Sequence, residues 1–359
     1  MPDNKTLHAI LSRFDIPSSD ATPILPFGNG HINSTYRAGT VPPTVLQLVN
    51  RAVFPHPDEV MENIAGVTDH LRKKLAASGG DPDRETLTLI REKGTGLPYV
   101  VEGGEYYRLA YCVPGAVSRE SADPDALYRC AKVFGKFLHL LADYPVDTLH
   151  EVLPDFHNTE ARLASFRRVL AENKVGRADS VKREVQFVLD RAADCSVVVD
   201  AIRAGEVPVR VTHNDTKLNN FLFDEKSGEC LALIDLDTVM PGSLLYDYGD
   251  ALRFGASSAA EDETDLSKVF FRVENIAAFT RGFLEEFGDV LTKREKELLP
   301  FSIKLLTLEC GMRFLSDYLA GDVYFKTAYP THNLDRARNQ FALVADIEPK
   351  LAELGALIG

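Results

Sequence analysis

Apolar residues recur at helical spacing in some stretches of this chain and alternate in others. Leu7, Ile10 and Leu11 share one side of a predicted short helix over residues 5–15. Residues 23–53 read as strands: PILPFGNGHINSTYRAGT holds a glycine turn between two extended pieces, and TVLQLVN follows as a third. Val60, Ile64, Val67, Leu71 and Leu75 predict a helix over 57–75, broken by the loop SGGDPD at residues 78–83. TLTLIREKGTGLPYVVEGGEYYRLAYCV then supplies three strand-like runs between glycine turns. Residues 1–112 are therefore expected to form a mostly antiparallel sheet with one inserted helix.

After VPGAVS the period changes. Ala131, Phe134, Phe137, Leu138 and Leu141 mark a buried helix, and residues 159–173 and 180–204 carry two more helical patterns. VPVRVTHNDTKLNNFLFD and CLALIDLDTV are the clear strands of this half, joined as a hairpin by the turn EKSGE. Helical patterns resume at about 268–287, 294–319 and 333–355. The expected fold is α+β, with a small antiparallel-sheet lobe over 1–112 and a larger, mainly helical lobe over 113–359.

Composition narrows the chemistry. Apolar residues make up 45% and charged residues 26%, enough to build a sizeable core. Forty basic against 53 acidic residues give a net charge of −13, which argues against a bulk nucleic-acid binder. No run approaches the roughly 18 apolar residues of a membrane span, and MPDNKTLHAI lacks the features of a signal peptide. Five cysteines (Cys112, Cys130, Cys195, Cys230, Cys310) form no CxxC and read as reduced thiols, which points to a cytoplasmic setting. Nothing in the sequence sets an oligomeric state, and a monomer is compatible with it.

His213-Asn214-Asp215-Thr216-Lys217-Leu218-Asn219-Asn220 has the form H-x-D-x-K-x-x-N, and Asp235 and Asp237 follow in Ile234-Asp235-Leu236-Asp237. A hairpin between them would return Asp235 towards the loop holding Asp215 and Asn220. Phosphoryl transfer requires such a set: hard oxygen ligands for Mg²⁺ and a separate carboxylate to orient the acceptor hydroxyl and take its proton. Asp215 suits the base role. Asn220 and Asp235 suit the metal, with Asp237 as a second carboxylate ligand. Lys217 reaches the transferring phosphate as a point charge, and His213 braces the loop.

With these motifs in view, the chain resembles the aminoglycoside-phosphotransferase-like kinases, which share the two-lobed protein-kinase fold. Within that group it is most similar to the N-acetylhexosamine 1-kinases. The resembling segments are FGNGHINSTY (27–36), VTHNDTKLNN (211–220), IDLDTVMPGSLLYDYGDALRFGAS (234–257) and LECGMRFLSDYLAGDVYF (308–325). The resemblance implies an ATP- and Mg²⁺-dependent transfer to the anomeric hydroxyl of N-acetylglucosamine or N-acetylgalactosamine. It also implies that His31, Phe254, Arg313 and Tyr324 face the sugar, and that Asp247 and Asp250 brace the catalytic loop.

The residues admit second readings at several of these positions. Gly28-Asn29-Gly30 lies between the first two strands, where glycines let a backbone approach phosphate oxygens, but such pairs are also ordinary turns. His31 reads equally as exposed. Asp247 and Asp250 suit the positive end of a helix. Glu309, Arg313 and Asp317, spaced i, i+4, i+8, read as a salt ladder facing water. Gln47 stands where kinases carry a lysine on the third strand, and Arg51 is the nearest cation. Arg108–Val113 reads as the linker whose backbone pairs with adenine, with Tyr111 and Val113 as the contact positions. Two rival functions remain open from sequence: a kinase for another small alcohol or an aminoglycoside, and a nucleotide-binding pseudokinase, for which Gln47 is the one supporting feature.

Overall fold

A computed structural model describes residues 2–28, 32–119, 121 and 123–358. In chain order, helix α1 (Asn4–Arg13) precedes strands β1 (Ile24–Pro26), β2 (Ser34–Ala38) and β3 (Thr44–Leu48). Helix α2 (Pro57–Ala77) and the single turn α3 (Pro82–Glu85) follow. Strands β4 (Leu89–Ile90), β5 (Val100–Glu102), β6 (Glu105–Tyr111) and β7 (Ala116–Ser118) come next. Helices α4 (Pro124–Leu140), α5 (Thr159–Glu172), α6 (Lys182–Asp190) and α7 (Asp194–Arg203) lead to strands β8 (Arg210–Thr212), β9 (Phe221–Asp224) and β10 (Cys230–Leu233). Helices α8 (Leu244–Gly255), α9 (Val273–Phe287), α10 (Lys293–Ala320) and α11 (His332–Ile347) follow. The α+β class expected from the sequence is the one observed, with an antiparallel sheet and a set of helices.

The chain divides into two compact units. The first holds residues 1–118, 140–153 and 221–241, and the second holds 119–139, 154–220 and 242–359. The sequence reading draws one boundary at 112; the observed division is discontinuous. The reason lies in α2. Asn63, fully buried on that helix, donates through Nδ2 to the carbonyls of His150 (2.8 Å) and Val239 (2.9 Å) and accepts the His150 N–H on Oδ1 (2.9 Å). One amide thus gathers both later segments. β7 also pairs with β9 (Val117 opposite Phe223), and Arg84 on α3 holds Asp224 at 2.6 Å.

In the first unit the sheet runs β1-β2-β3-β6-β4, with β5 on β6, all antiparallel. Alternation splits β3 between two faces. Leu46, with Tyr36 and Leu109, packs against Leu7, Ile10 and Leu11 of α1 and against Phe14, which follows it. Burying side chains of this size contributes about 1.5–3 kcal/mol each, as an upper estimate. Val45 and Gln47 therefore belong to the opposite face.

In the second unit α10 is buried on all sides along most of its length, its charged Lys304, Glu309 and Asp317 included. A capping box at Thr292 and Glu295 starts it, and Gly321, at φ +100°, ends it. Leu308, Met312, Leu315 and Leu319 of α10 share a core with Leu163, Phe166, Leu334, Phe341 and Val344. The pattern over 180–204 divides into α6 and α7 at Arg191–Ala193, where i→i+3 bonds replace α-helical ones and Arg191 turns to Glu348 (2.7 Å). The pattern over 333–355 is interrupted after Ile347 by the 3₁₀ turn Glu348–Lys350, which holds Pro349, and resumes as helix α12 (Leu351–Ala356).

Candidate active site

β8 ends at Thr212, and the chain passes through His213–Lys217 into the 3₁₀ turn Leu218–Asn220. Asp247, in the first turn of α8 and fully buried, carries this loop. Its two oxygens accept the backbone N–H groups of His213 (2.8 Å) and Asn214 (2.5 Å), and its carbonyl accepts the Thr216 hydroxyl (2.6 Å). Burial pushes the Asp247 carboxyl up to about 7, against those two donors, which lower it. His213, also fully buried, accepts the Asp215 N–H on Nδ1 (3.2 Å) and meets Phe137 edge-on.

This support sets a compact polar group at the loop's tip. Asp215 Oδ2 accepts from Lys217 Nζ (2.6 Å) and from Asn220 Nδ2 (2.9 Å), and the Asn220 amide also donates to the Asp215 carbonyl (2.7 Å). The Asn220 N–H₂ is turned to Asp215, which leaves its amide oxygen pointing away from those bonds. Asp250 pairs with Arg253 on its own helix (3.0 Å), and Arg253 continues to Glu261 (2.9 Å). It makes no hydrogen bond to the loop among the described residues, so the arginine three positions on has captured the carboxylate.

The face of α10 bearing Glu309, Arg313 and Asp317 is dry rather than a water-facing ladder: Glu309 and Asp317 are 2% and 5% exposed. Asp317 accepts the N–H groups of Val323 (2.9 Å), Tyr324 (2.8 Å) and Phe325 (2.9 Å) and the Asn333 amide (2.9 Å). It thereby shapes the loop that presents Tyr324, which is exposed and stands edge-on to Phe325. The Arg313 guanidinium lies over Phe156 (5.5 Å) and Phe325 (5.7 Å), with Glu309 3.9 Å away. Phe254 is half-buried near the end of α8.

A residue the sequence reading passed over joins these two groups. His157, buried, meets Glu309 Oε1 through Nδ1 (3.0 Å) and the Asn214 carbonyl through Nε2 (3.2 Å). Both partners are acceptors only, so both ring nitrogens carry protons and the imidazole is a cation. Burial pushes its pKa down, but Glu309 and then Asp250 outweigh this and hold it above the ordinary histidine value. Burial likewise pushes the Glu309 carboxyl up, and His157 and Arg313 bring it below the usual carboxylate value. A lone histidine in a loop gave no sequence signal for this.

In the first unit, Gly28 has φ +76°, open to glycine, while Asn29, Gly30 and His31 lie outside the described residues. β3 stops at Leu48, and Arg51 beyond it donates to the Gly104 carbonyl (2.9 Å), so Arg51 does not share the face of Gln47. Arg108 is a strand residue of β6, not part of a linker: it lies opposite Gln47 and donates through Nε to Gln47 Oε1 (2.9 Å). Its Nη1 is paired with Asp237 Oδ1, and Asn33 Nδ2 donates to Asp237 Oδ2. Both Asp237 oxygens are thus engaged, one by Arg108 and one by Asn33. The N–H groups of Tyr111 and Cys112 go to Thr88 and Pro43, making Val113 the first position past the sheet's pairing. The β9–β10 register sets Phe221, next to Asn220, opposite Leu233, two residues before Asp235. Asp235 itself is left-handed, at φ +67°.

Among the described residues no group of three or more His, Cys, Asp or Glu is placed to hold a metal by itself. That fits Mg²⁺ in phosphoryl transfer, which takes one or two carboxylates and completes its shell with substrate phosphates and water. A recess of about 610 Å³ near Lys182, Glu184, Asp335 and Arg338 is lined by none of the candidate site residues; Arg338 there pairs with Glu184 and Asp335, and Lys182 with Asp179. No helix among the described residues is long and apolar enough to cross a membrane.

Comparison with known proteins supplies the family. Among solved structures, the chain is similar to a microcompartment-associated aminopropanol kinase (16% identity, 98% of this chain and 99% of that one, TM-score 0.60). It is also similar to choline kinase from Cryptosporidium parvum (12%, 98% and 97%, TM-score 0.58). A third is a spectinomycin phosphotransferase solved with ADP and spectinomycin (12%, 97% and 98%, TM-score 0.56). At these identities the likeness is one of fold. The APH phosphotransferase enzyme family matches residues 23–281, most of the chain, and its members use ATP with Mg²⁺. This protein therefore belongs to the APH phosphotransferase enzyme family and is an enzyme of the phosphotransferase class.

Proposed function

We propose that this phosphotransferase transfers the γ-phosphoryl group of ATP to the anomeric hydroxyl of an N-acetylhexosamine, giving the sugar 1-phosphate and ADP. Asp215 orients that hydroxyl and takes its proton. The freed oxygen bonds to the γ-phosphorus as the bond from that phosphorus to the β–γ bridging oxygen breaks, and ADP leaves. Bound Mg²⁺ supplies charge neutralisation on the phosphates, and Asn220 and Asp235 are its ligands. Lys217 offsets charge on the transferring group, while Asp247 and His213 hold the loop. Gly28, with Asn29 and Gly30, receives the phosphates, Gln47 lies beside them, and the backbone at Tyr111 and Val113 receives adenine. Little covalent work falls to the protein in such a transfer, so positioning and charge carry the rate.

The observation that carries the choice of acceptor is Arg313. Aminopropanol, choline and aminoglycosides are cations, which want open aromatic faces or an acidic pocket. Here the rings of Phe156 and Phe325 are already covered by a guanidinium, and the nearest carboxylate, Glu309, is neutralised by His157 and Arg313. A site built this way repels a cationic acceptor and suits a neutral one offering hydroxyl and acyl oxygens to Arg313, with Tyr324, Phe254 and His31 beside it.

ADP release with ATP and Mg²⁺ tests this against N-acetylglucosamine, N-acetylgalactosamine, their 1-O-methyl glycosides, choline and kanamycin. Turnover of the free sugars but not the methyl glycosides is expected; turnover of the glycosides, or of the cations alone, overturns it. Asp215→Ala should lower turnover by about 10²–10⁴-fold, the usual worth of a general base, with ADP affinity kept within about twofold. Undiminished turnover removes Asp215 from the base role.

A further inference from the structure

We infer that Arg108 supplies the phosphate-binding charge that kinases ordinarily carry as a lysine on the third strand, and that Asp237 holds Arg108 in place. The inference rests on the kinase reading above and concerns the first unit alone.

The sheet register carries the argument. Gln47 and Arg108 are directly opposed on neighbouring antiparallel strands, and opposed residues share a face. That face is turned away from the α1 core and towards α2, where Met61 Sδ lies 4.0 Å from Arg108 Nη1. Arginine is longer than glutamine, and its Nε is the atom that meets Gln47 Oε1. The guanidinium therefore reaches beyond the Gln47 amide, over the ground that a lysine at position 47 would cover. Among the described residues Arg108 and Lys304 are the only buried arginine or lysine side chains, and Lys304 belongs to the other unit.

The surrounding hydrogen bonds form a ring that begins and ends just after the glycine turn. Gln47 Nε2 donates to Thr35 Oγ1 (3.1 Å), Arg108 Nε donates to Gln47, and Arg108 Nη1 pairs with Asp237. Asp237 in turn accepts from Asn33 Nδ2, and Asn33 Oδ1 takes the Asn50 N–H (2.9 Å). Asn33 and Thr35 follow directly on the Gly28 segment that would cradle phosphate. Within this ring Arg108 Nη2 donates to none of the described residues, although the residue is only 6% exposed. Nη2 is not one of the buried atoms left without a partner, so it opens to solvent and is free to meet a ligand. Phosphate oxygens match its planar fork. Asp237 offsets the charge when no phosphate is bound, as a carboxylate on the αC helix does for the lysine in other kinases.

The test is nucleotide affinity by calorimetry, with Mg·ADP and adenosine as probes. Four proteins are compared: wild type, Arg108→Lys, the neutral pair Arg108→Gln/Asp237→Asn, and the relocated charge Arg108→Gln/Gln47→Lys. The neutral pair removes both charges, so no buried ion is left unpaired, and thermal melting confirms folding. It should bind Mg·ADP about 10–100-fold more weakly, the worth of one charge-assisted contact, while adenosine affinity stays within about twofold. Arg108→Lys should lose less than tenfold, and moving the charge to position 47 should recover most of the loss. Equal weakening of ADP and adenosine, or no weakening of either, makes Arg108 structural and overturns the inference while leaving the kinase reading intact. A wild-type protein that binds neither probe overturns both.

Discussion

His157 offers the sharpest test of how the catalytic loop is held, through His157→Gln. The histidine is 8% exposed and Glu309 2%, so the substitution leaves a carboxylate in the interior without its cationic partner. Breaking a buried pair from one side costs about 3–5 kcal/mol. Arg313, 3.9 Å from the same oxygen, offsets part of this, which favours the lower end. For a unit of about 200 residues, 1 kcal/mol shifts the melting temperature by about 2–4 °C, so the variant should melt roughly 6–20 °C lower. The double variant His157→Leu/Glu309→Leu removes both charges and should regain most of that loss, because apolar replacement of a buried pair is close to neutral. The pH dependence has a defined sign. His157 is raised in the folded state, so its contribution is complete below the unfolded value of 6.5 and is lost as pH rises through the higher folded value. The gap between wild type and His157→Gln should therefore be full near pH 6 and shrink in alkaline buffer. A melting temperature within about 2 °C of wild type at pH 6, or additive effects of His157→Gln and Glu309→Gln, would refute the coupling.

Two further expectations concern the carboxylates that shape the site. Asp247→Asn keeps one acceptor and turns an amide N–H₂ towards a backbone donor, so unfolding should become about 3–5 kcal/mol easier and turnover should fall with little change in nucleotide affinity. Because burial raises this carboxyl to about 7, the folded state takes up a proton between about pH 7 and the unfolded value of 3.8. The wild-type advantage over Asp247→Asn in urea melts should therefore grow as pH falls through that window. Asp317→Ala releases four donors at once on the 323–325 loop and Asn333. It should raise KM for the proposed sugar acceptor at least tenfold, one contact's worth, and leave ADP affinity unchanged; an unaltered KM separates that loop from the acceptor.

What the sequence made legible is local. H-x-D-x-K-x-x-N sets Asp215, Lys217 and Asn220 within five residues, so their clustering follows from chain connectivity. The helices and the hairpin follow from apolar period. What stayed hidden depends on register and distant contact. Gln47 meets Arg108 61 positions away, and nothing in either segment announces which residues will oppose each other, so the missing charge was sought at Arg51 and Lys217. Glu309 meets His157 across 152 positions, and its burial turns an apparent surface ladder into an interior network. The early boundary at 112 missed Asn63, a single amide on α2 that binds two later segments. Asp250 is a different case. The Arg253 that captures it stands at i+3 on the same helix, so its partner was readable from spacing.

The catalytic loop itself is held by opposite charges on one residue's two peptide groups. Asn214 sits at φ +64°, a conformation that costs a non-glycine residue about 1–2 kcal/mol. Its N–H is fixed by the Asp247 carboxylate and its carbonyl by the His157 cation. Each such charge-assisted bond contributes about 1.5–3 kcal/mol, so the two together outweigh the strain. The next residue is Asp215, whose side-chain direction is set by the peptide planes on either side of Asn214. Asp215, the proposed base, is therefore held from behind by the Asp247 carboxyl and the His157 imidazole, through the two peptide groups of Asn214. His157 is in turn held by Glu309, the carboxylate nearest Arg313. If the acceptor binds at Arg313 as proposed, it acts on the far end of the series Glu309–His157–Asn214 that ends beside Asp215, and one buried network serves both.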